Sequence, residues 1–151
     1  MKKSKVLHFA LAAVALPAIG LAAAGPAAAD GAVDWKSKKA GKCLTYDGHT
    51  MNAKLGACGK KNWYDVIQQG GSYAEMERGS SGTRCLTANA GGRVYSNNCA
   101  ASRNKNQRWY EQKKSGGWVL KNVGTGKCLA VDGGAVRALT CKADNKSQLW
   151  Q

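Results

Sequence analysis

The sequence is poor in the groups from which catalytic and metal sites are built. It holds two histidines in 151 residues. His8 lies in an N-terminal leader and leaves His49 alone, so the paired-imidazole site of a secreted nuclease cannot form. No CxxC pair is present, which removes the common zinc-ligand spacing and predicts no metal. No serine stands in a GxSxG context, which removes a nucleophile elbow. Acidic residues number only nine. Asp47, Asp65, Glu75, Glu77 and Glu111 include enough carboxylates for a glycoside-hydrolysing pair, but no pattern in the sequence joins two of them. The expectation is a chain with no catalytic activity and no cofactor.

Long apolar runs are equally scarce, and the one that exists is N-terminal. Lys2, Lys3 and Lys5 form a positive stretch, Val6 to Leu21 is mostly apolar, and Ala27-Ala28-Ala29 ends a small-residue segment. Residues 1–29 therefore read as a signal peptide cleaved near Ala29, and the product as secreted. Its Ala-rich composition fits a bacterial export product. Pro17, Gly20 and Gly25-Pro26 interrupt the run before the roughly 20 apolar residues of a membrane span are reached. Nothing downstream is long and apolar enough to span, so a soluble product is expected.

What remains is 122 residues, the size of one domain over 30–151. All six cysteines, Cys43, Cys58, Cys85, Cys99, Cys128 and Cys141, lie in it, and an even number in an exported chain reads as a disulfide framework. The leader takes three lysines and no acid with it, so the +14 charge of the whole chain becomes +11. Such an excess draws acidic glycans and other anionic polymers. The lysines are scattered, although Lys36, Lys38 and Lys39, with Lys60 and Lys61, concentrate charge in the first third.

Repetition sets the architecture. Lys42-Cys43-Leu44, Arg84-Cys85-Leu86 and Lys127-Cys128-Leu129 are each followed, four residues after the cysteine, by Asp47, Asn89 or Asp132, and the units recur at 42 and 43 residues. A second cysteine follows the first by 15, 14 and 13 residues, and Trp63, Trp109 and Trp150 close the units. Two of these tryptophans stand in Gln107-Arg108-Trp109 and Gln148-Leu149-Trp150. Turn-rich segments at Lys39–Lys42, Ser80–Thr83 and Gly124–Lys127 mark hairpins between short strands. Strands this short leave no room for helices, so the class is all-β. A propeller shares the period, but three blades fall below its usual minimum of about four.

Three phased units with a Cys-Leu opening, an internal cysteine pair and a QxW-type ending resemble the ricin-B-type lectin domain, the QxW β-trefoil also known as the family-13 carbohydrate-binding module. The resemblance covers about residues 33 to 151 and implies a β-trefoil of three pseudo-symmetric repeats at about 33–70, 71–113 and 114–151. It implies pairing within repeats, Cys43 with Cys58, Cys85 with Cys99 and Cys128 with Cys141, each worth on the order of 3 kcal/mol by loop entropy. It also makes Trp63, Gln107, Trp109, Gln148 and Trp150 core residues rather than sugar platforms.

The resemblance implies a secreted, lectin-like module holding a glycan or glycoconjugate, neutral or acidic, as a monomer and without nucleic acid. Sugar-binding repeats of that family usually carry an Asp two residues after the first cysteine and an aromatic two residues before the second. Thr45, Thr87 and Ala130 take the first place here, and Gly56, Asn97 and Leu139 the second, so the familiar pocket is weakened in every repeat. Asn89, Tyr95, Asn97 and Asn98 make the second repeat the best remaining candidate, with Asp47 and Asp132 as further polar groups; a turn-forming role is the favoured reading of Asp47, Asn89 and Asp132. The first repeat has Lys61 where the others have Gln, and Trp63 follows Cys58 by 5 positions against 10 and 9 in the other two. Two alternatives stand beside the lectin: a protein-interaction, adaptor or toxin-associated trefoil without sugar binding, and a charge-driven binder of anionic polymers.

Overall fold

A computed structural model describes residues 31–78 and 84–151; the leader, its cleavage point and the Ser80–Thr83 turn lie outside them. The described residues hold eleven strands: β1 (Gly31–Val33), β2 (Cys43–Tyr46), β3 (Ala53–Gly56), β4 (Trp63–Ile67), β5 (Tyr73–Glu77), β6 (Arg84–Ala88), β7 (Val94–Asn98), β8 (Trp109–Lys114), β9 (Gly117–Asn122), β10 (Cys128–Asp132) and β11 (Ala135–Leu139). Helical structure among them is confined to single 3₁₀ turns at Gln69–Gly71, Lys105–Gln107 and Lys146–Gln148.

Antiparallel pairing runs β1-β4-β5-β8-β9. The C-terminal residues close the circle. Trp150 exchanges both backbone bonds with Trp118 at 2.7 and 2.9 Å, and Gln151 exchanges both with Lys36 at 2.8 Å. Closure leaves no free edge in the barrel, which is the physical advantage of the architecture. It also requires a close approach, because a Cβ on Gly117 would stand 2.5 Å from the Trp150 carbonyl oxygen. The hairpins β2-β3, β6-β7 and β10-β11 form the cap and meet one another through the bridges Asn52 to Tyr95 and Arg93 to Arg137. This is a β-trefoil.

Threefold repetition extends to individual bonds. Trp63, Trp109 and Trp150 are fully buried. Their indole N–H groups donate to the carbonyls of Leu44, Leu86 and Leu129 at 3.0, 3.0 and 3.1 Å. The recurring Cys-Leu and the recurring Trp are thus two ends of one contact: the leucine packs in the core while its carbonyl satisfies the only polar atom of the ring. The three cystines, Cys43–Cys58, Cys85–Cys99 and Cys128–Cys141, each lie within one repeat.

The glutamines clamp the chain around the second half-cystine. Gln107 donates to the Asn98 carbonyl at 2.8 Å and accepts from the Ala100 N–H at 2.6 Å. Gln148 does the same with Thr140 at 2.8 Å and Lys142 at 2.9 Å. Both are delivered by a 3₁₀ turn capped by the asparagine that precedes it. Asn104 accepts from the Asn106 N–H, and Asn145 from that of Ser147, each at 3.0 Å. The first lobe has Lys61 in place of this glutamine and no 3₁₀ turn between Cys58 and Trp63. There the Gly59 N–H, in the position of Ala100 and Lys142, donates to the Asp34 carboxylate at 2.7 Å.

Candidate functional site

Of the positions where an Asp is usual, two are closed to ligand. Ala130 is fully buried. Thr87 is 2% exposed, and its hydroxyl donates to the Cys85 carbonyl at 3.0 Å and accepts from Gln107 at 3.2 Å. In the first lobe the methyl of Thr45 lies across Gly56, 2.8 Å from where a Cβ would stand. An aromatic at position 56 would collide with it.

The second-lobe hairpin pairs Thr87 with Tyr95 and Cys85 with Asn97, and in an antiparallel ladder opposite residues share a face. Tyr95 and Asn97 therefore project together, whereas Asn98, opposite Arg84, projects to the other side. Arg93 lies over the Tyr95 ring at 4.9 Å from its centroid and donates to the Asn52 side chain at 2.8 Å, which fixes the ring in place. Asn97 and Asn98 are exposed and Tyr95 is half-buried.

Asn89 and Asp47 sit at hairpin ends, where their side chains hold turns. The Asn89 side chain accepts from the Arg93 N–H at 3.0 Å. Asp47 accepts from the N–H groups of His49 and Thr50 at 3.1 and 2.9 Å and pairs with Lys54 at 3.0 Å. The Thr50 and Lys54 bonds hold its carboxyl well below the usual range. Asp132 is exposed at the end of β10, beside a turn made by Gly133 and Gly134.

Inside the barrel the structure does what no sequence pattern announced: carboxyl oxygens of Asp65, Glu75 and Glu111 lie within 4.8 Å of one another. The register is the reason. Asp65 and Glu111 each stand two residues beyond an inward-facing tryptophan, and β4-β5 pairing sets Asp65 opposite Glu75. A repeated Trp-x-acid, at Trp63-Tyr64-Asp65 and Trp109-Tyr110-Glu111, was the available signal. Trp35 donates its indole N–H to Glu75 at 2.8 Å. Burial, then the charge of Asp65, raises the Glu75 carboxyl far above its usual range, and the same two causes push Glu111 up to about 8. Among the described residues this is the one group of three or more His, Cys, Asp or Glu side chains close enough to hold a metal ion. Asp65 and Glu75 are fully buried, so the geometry favours carboxyls sharing protons over groups facing a substrate.

Two larger clefts open elsewhere on the surface, beside a third of 260 Å³ in the third lobe lined by Leu139, Thr140, Lys142, Asn145 and Gln148. One of 390 Å³ lies on the cap between the hairpins, walled by Asn52, Arg93 and Arg137. The other, 330 Å³, lies beside the third lobe, between the outward face of the β8-β9 hairpin and residues 141–149. Gln112, Lys114, Val119 and Lys121 form one wall, and the Cys128–Cys141 cystine with Lys142, Asp144 and Leu149 the other. Neither Lys60 nor Lys61 lines either cleft. The charged segments singled out in the first lobe are a solvated surface, apart from Lys38, which reaches the β8-β9 turn and donates to the Gly116 carbonyl at 3.2 Å.

The model of the ricin-type beta-trefoil lectin domain matches residues 32–150. A search of curated proteins returned no significant match. Among solved structures, the designed threefold-symmetric protein ThreeFoil is 19% identical with a TM-score of 0.66, over 78% of this chain and 94% of that one. SeviL, solved bound to an asialo-GM1 saccharide, is 16% identical with a TM-score of 0.65, over 81% and 95%. A GlcNAcα1-4Gal-releasing endo-β-galactosidase from Clostridium perfringens is 14% identical with a TM-score of 0.68; the match covers 78% of this chain and 31% of the enzyme.

Proposed function

Because the chain belongs to the ricin-type β-trefoil lectin domain family, we propose that it is a secreted, non-catalytic carbohydrate-binding module, released as a monomer after cleavage near Ala29, with degenerate pockets in its first and third lobes and one weak site in the second. The observation that carries this reading is the joint projection of Tyr95 and Asn97 from one hairpin face, the ring fixed by Arg93. An aromatic ring for the apolar face of a pyranose beside an amide for its hydroxyls is a minimal sugar site. Asn89 lies at the hairpin end beside it and Asn98 on the opposite face of the strand, with Asp47 and Asp132 at the corresponding turns of the other lobes. The buried state of Thr87 and Ala130 supports the loss of the carboxylate acceptor, and with it of affinity.

The absence of catalysis is part of the same proposal. Asp65 and Glu75 are fully buried and the carboxyl oxygens of Glu111 are closed off from solvent, whereas a glycosidase needs two carboxyls that flank one bond of the substrate. The intact cystines favour an oxidising compartment, in keeping with export.

A glycan array of neutral saccharides, probed with the wild type and with Tyr95→Ala/Asn97→Ala, tests the reading. We expect binding of a defined glycan to fall about tenfold or more in the double variant, with an unchanged melting temperature. Undiminished binding by the variant, or a blank array for both proteins, would reject the second-lobe site.

A further inference from the structure

We propose that the cleft between the β8-β9 hairpin and the third lobe is a second saccharide subsite, selective for sugars that carry a sulfate or carboxylate. The ligand class rests on the lectin reading, and the acidic preference rests on the cleft alone. In β8-β9, Gln112 pairs with Val119, Tyr110 with Lys121 and Lys114 with Gly117. Opposite residues share a face, so one outward face carries Lys114 and Lys121 around the Val119 side chain. The facing wall adds Lys142 beside Leu149 and the Cys128–Cys141 cystine. Lys38 arrives from the first lobe at the tip of the same hairpin.

Three features give this cleft a chemical identity. Its charge is lopsided, with Lys114, Lys121 and Lys142 against the single carboxylate Asp144. None of these lysines forms an ion pair within 4 Å among the described residues, where the pairs are Lys54–Asp47 and Arg84–Glu77. The ammonium groups are therefore available to an incoming anion from residues on two different walls. The floor between them is apolar, formed by Val119, Leu149 and the cystine, which a sugar ring can cover while its charged substituent meets the rim. The volume of 330 Å³ falls at the lower end for ligand pockets, roughly 300–1,000 Å³. The position is also rigid, since Lys142 N–H is clamped by Gln148 and the cystine ties the loop to β10.

The experiment is a backbone-amide NMR titration of the disulfide-intact protein with a trisulfated heparin disaccharide, its desulfated counterpart, and sodium sulfate. The sulfated disaccharide should move the amides of Lys121, Cys128 and 141–145, and weaken severalfold as salt rises from about 50 to about 300 mM. Lys121→Gln/Lys142→Gln should lower its affinity about fivefold, whereas Lys60→Gln/Lys105→Gln, which removes the same charge from exposed positions elsewhere, should leave it within about twofold. Equal losses in both double variants would overturn the proposal in favour of diffuse charge. Identical shifts with sodium sulfate alone, at equal affinity, would overturn the saccharide class. Shifts confined to the β6-β7 hairpin would overturn the cleft while leaving the lectin reading intact. Cleft binding by a protein that ignores every neutral glycan would uphold the cleft and sink the second-lobe site.

Discussion

The first lobe and its two companions perform the same task with different chemistry. In lobes two and three a buried glutamine, aimed by an Asn-capped 3₁₀ turn, bonds the backbone on both sides of the second half-cystine. In lobe one the loop from Cys58 to Trp63 is too short for that turn, and Asp34, arriving from the end of β1, takes the Gly59 N–H instead. What the lobes share without exception is the bond from indole to Leu carbonyl. The trefoil therefore tolerates replacement of a peripheral clamp but keeps the contact that joins barrel to cap.

That ranking can be broken by mutation, and the shared contact should show the largest effect. Trp109→Ala removes a fully buried indole and leaves the Leu86 carbonyl unpaired, a loss of about 3–5 kcal/mol. Trp63→Ala and Trp150→Ala should cost the same within about 1 kcal/mol, as measured by denaturant unfolding with the cystines intact. A much smaller loss for Trp63 would show that lobe one has also surrendered its anchor.

The glutamine clamp comes next. Gln107→Ala strands a carbonyl and an N–H, an expected cost of about 1–3 kcal/mol, and Gln107→Glu should recover little because a carboxylate cannot donate to the Asn98 carbonyl. Unfolding midpoints of the two variants check this.

Lobes one and two agree again inside the barrel, where each places an acid two residues past its tryptophan. Glu111 has a folded value of about 8 against 4.5 when free, so its contribution is fully present below about 4.5 and is lost as pH rises through about 8. Because Glu111 is only half-buried, solvent screening reduces the loss to on the order of 2 kcal/mol. Stability measured from acid to mildly alkaline pH should fall across that window, and Glu111→Gln should flatten the fall. An unchanged profile in the variant would place the sensitivity on Glu75 alone.

Much of this fold was legible because it is written three times. The phased Cys-Leu, second Cys and Trp positions pointed to the barrel and the cap, since each is one end of a contact that every lobe must make. The Asn-Lys-x-Gln strings at Asn104–Gln107 and Asn145–Gln148, present in two lobes and not singled out in the sequence, mark the turns that aim the clamps. The acidic cluster was not legible in the same way. It depends on cross-strand register between β4 and β5, and Glu75 has no counterpart in the motif. The third-lobe cleft was hidden for a similar reason: Lys114, Lys121 and Lys142 are unremarkable in sequence, and only the alternation of β8-β9 turns two of them toward the third. In the first lobe, by contrast, adjacent lysines drew notice in sequence but the chain spreads them over open surface.

The smallest effect tests the substitution in lobe one itself. Asp34→Ala removes a charge-assisted bond to an exposed loop N–H that water can partly replace, so the cost should be about 1 kcal/mol or less. Asp34→Asn, which keeps an acceptor oxygen, should be close to neutral. Lys61→Gln should not rescue Asp34→Ala: residue 61 has a φ of 46° in a loop without the 3₁₀ turn, so a glutamine there is not delivered to the backbone around Cys58. If it did rescue, the clamp would depend on residue type rather than on loop length, and the short first-lobe loop would no longer explain why Asp34 took over.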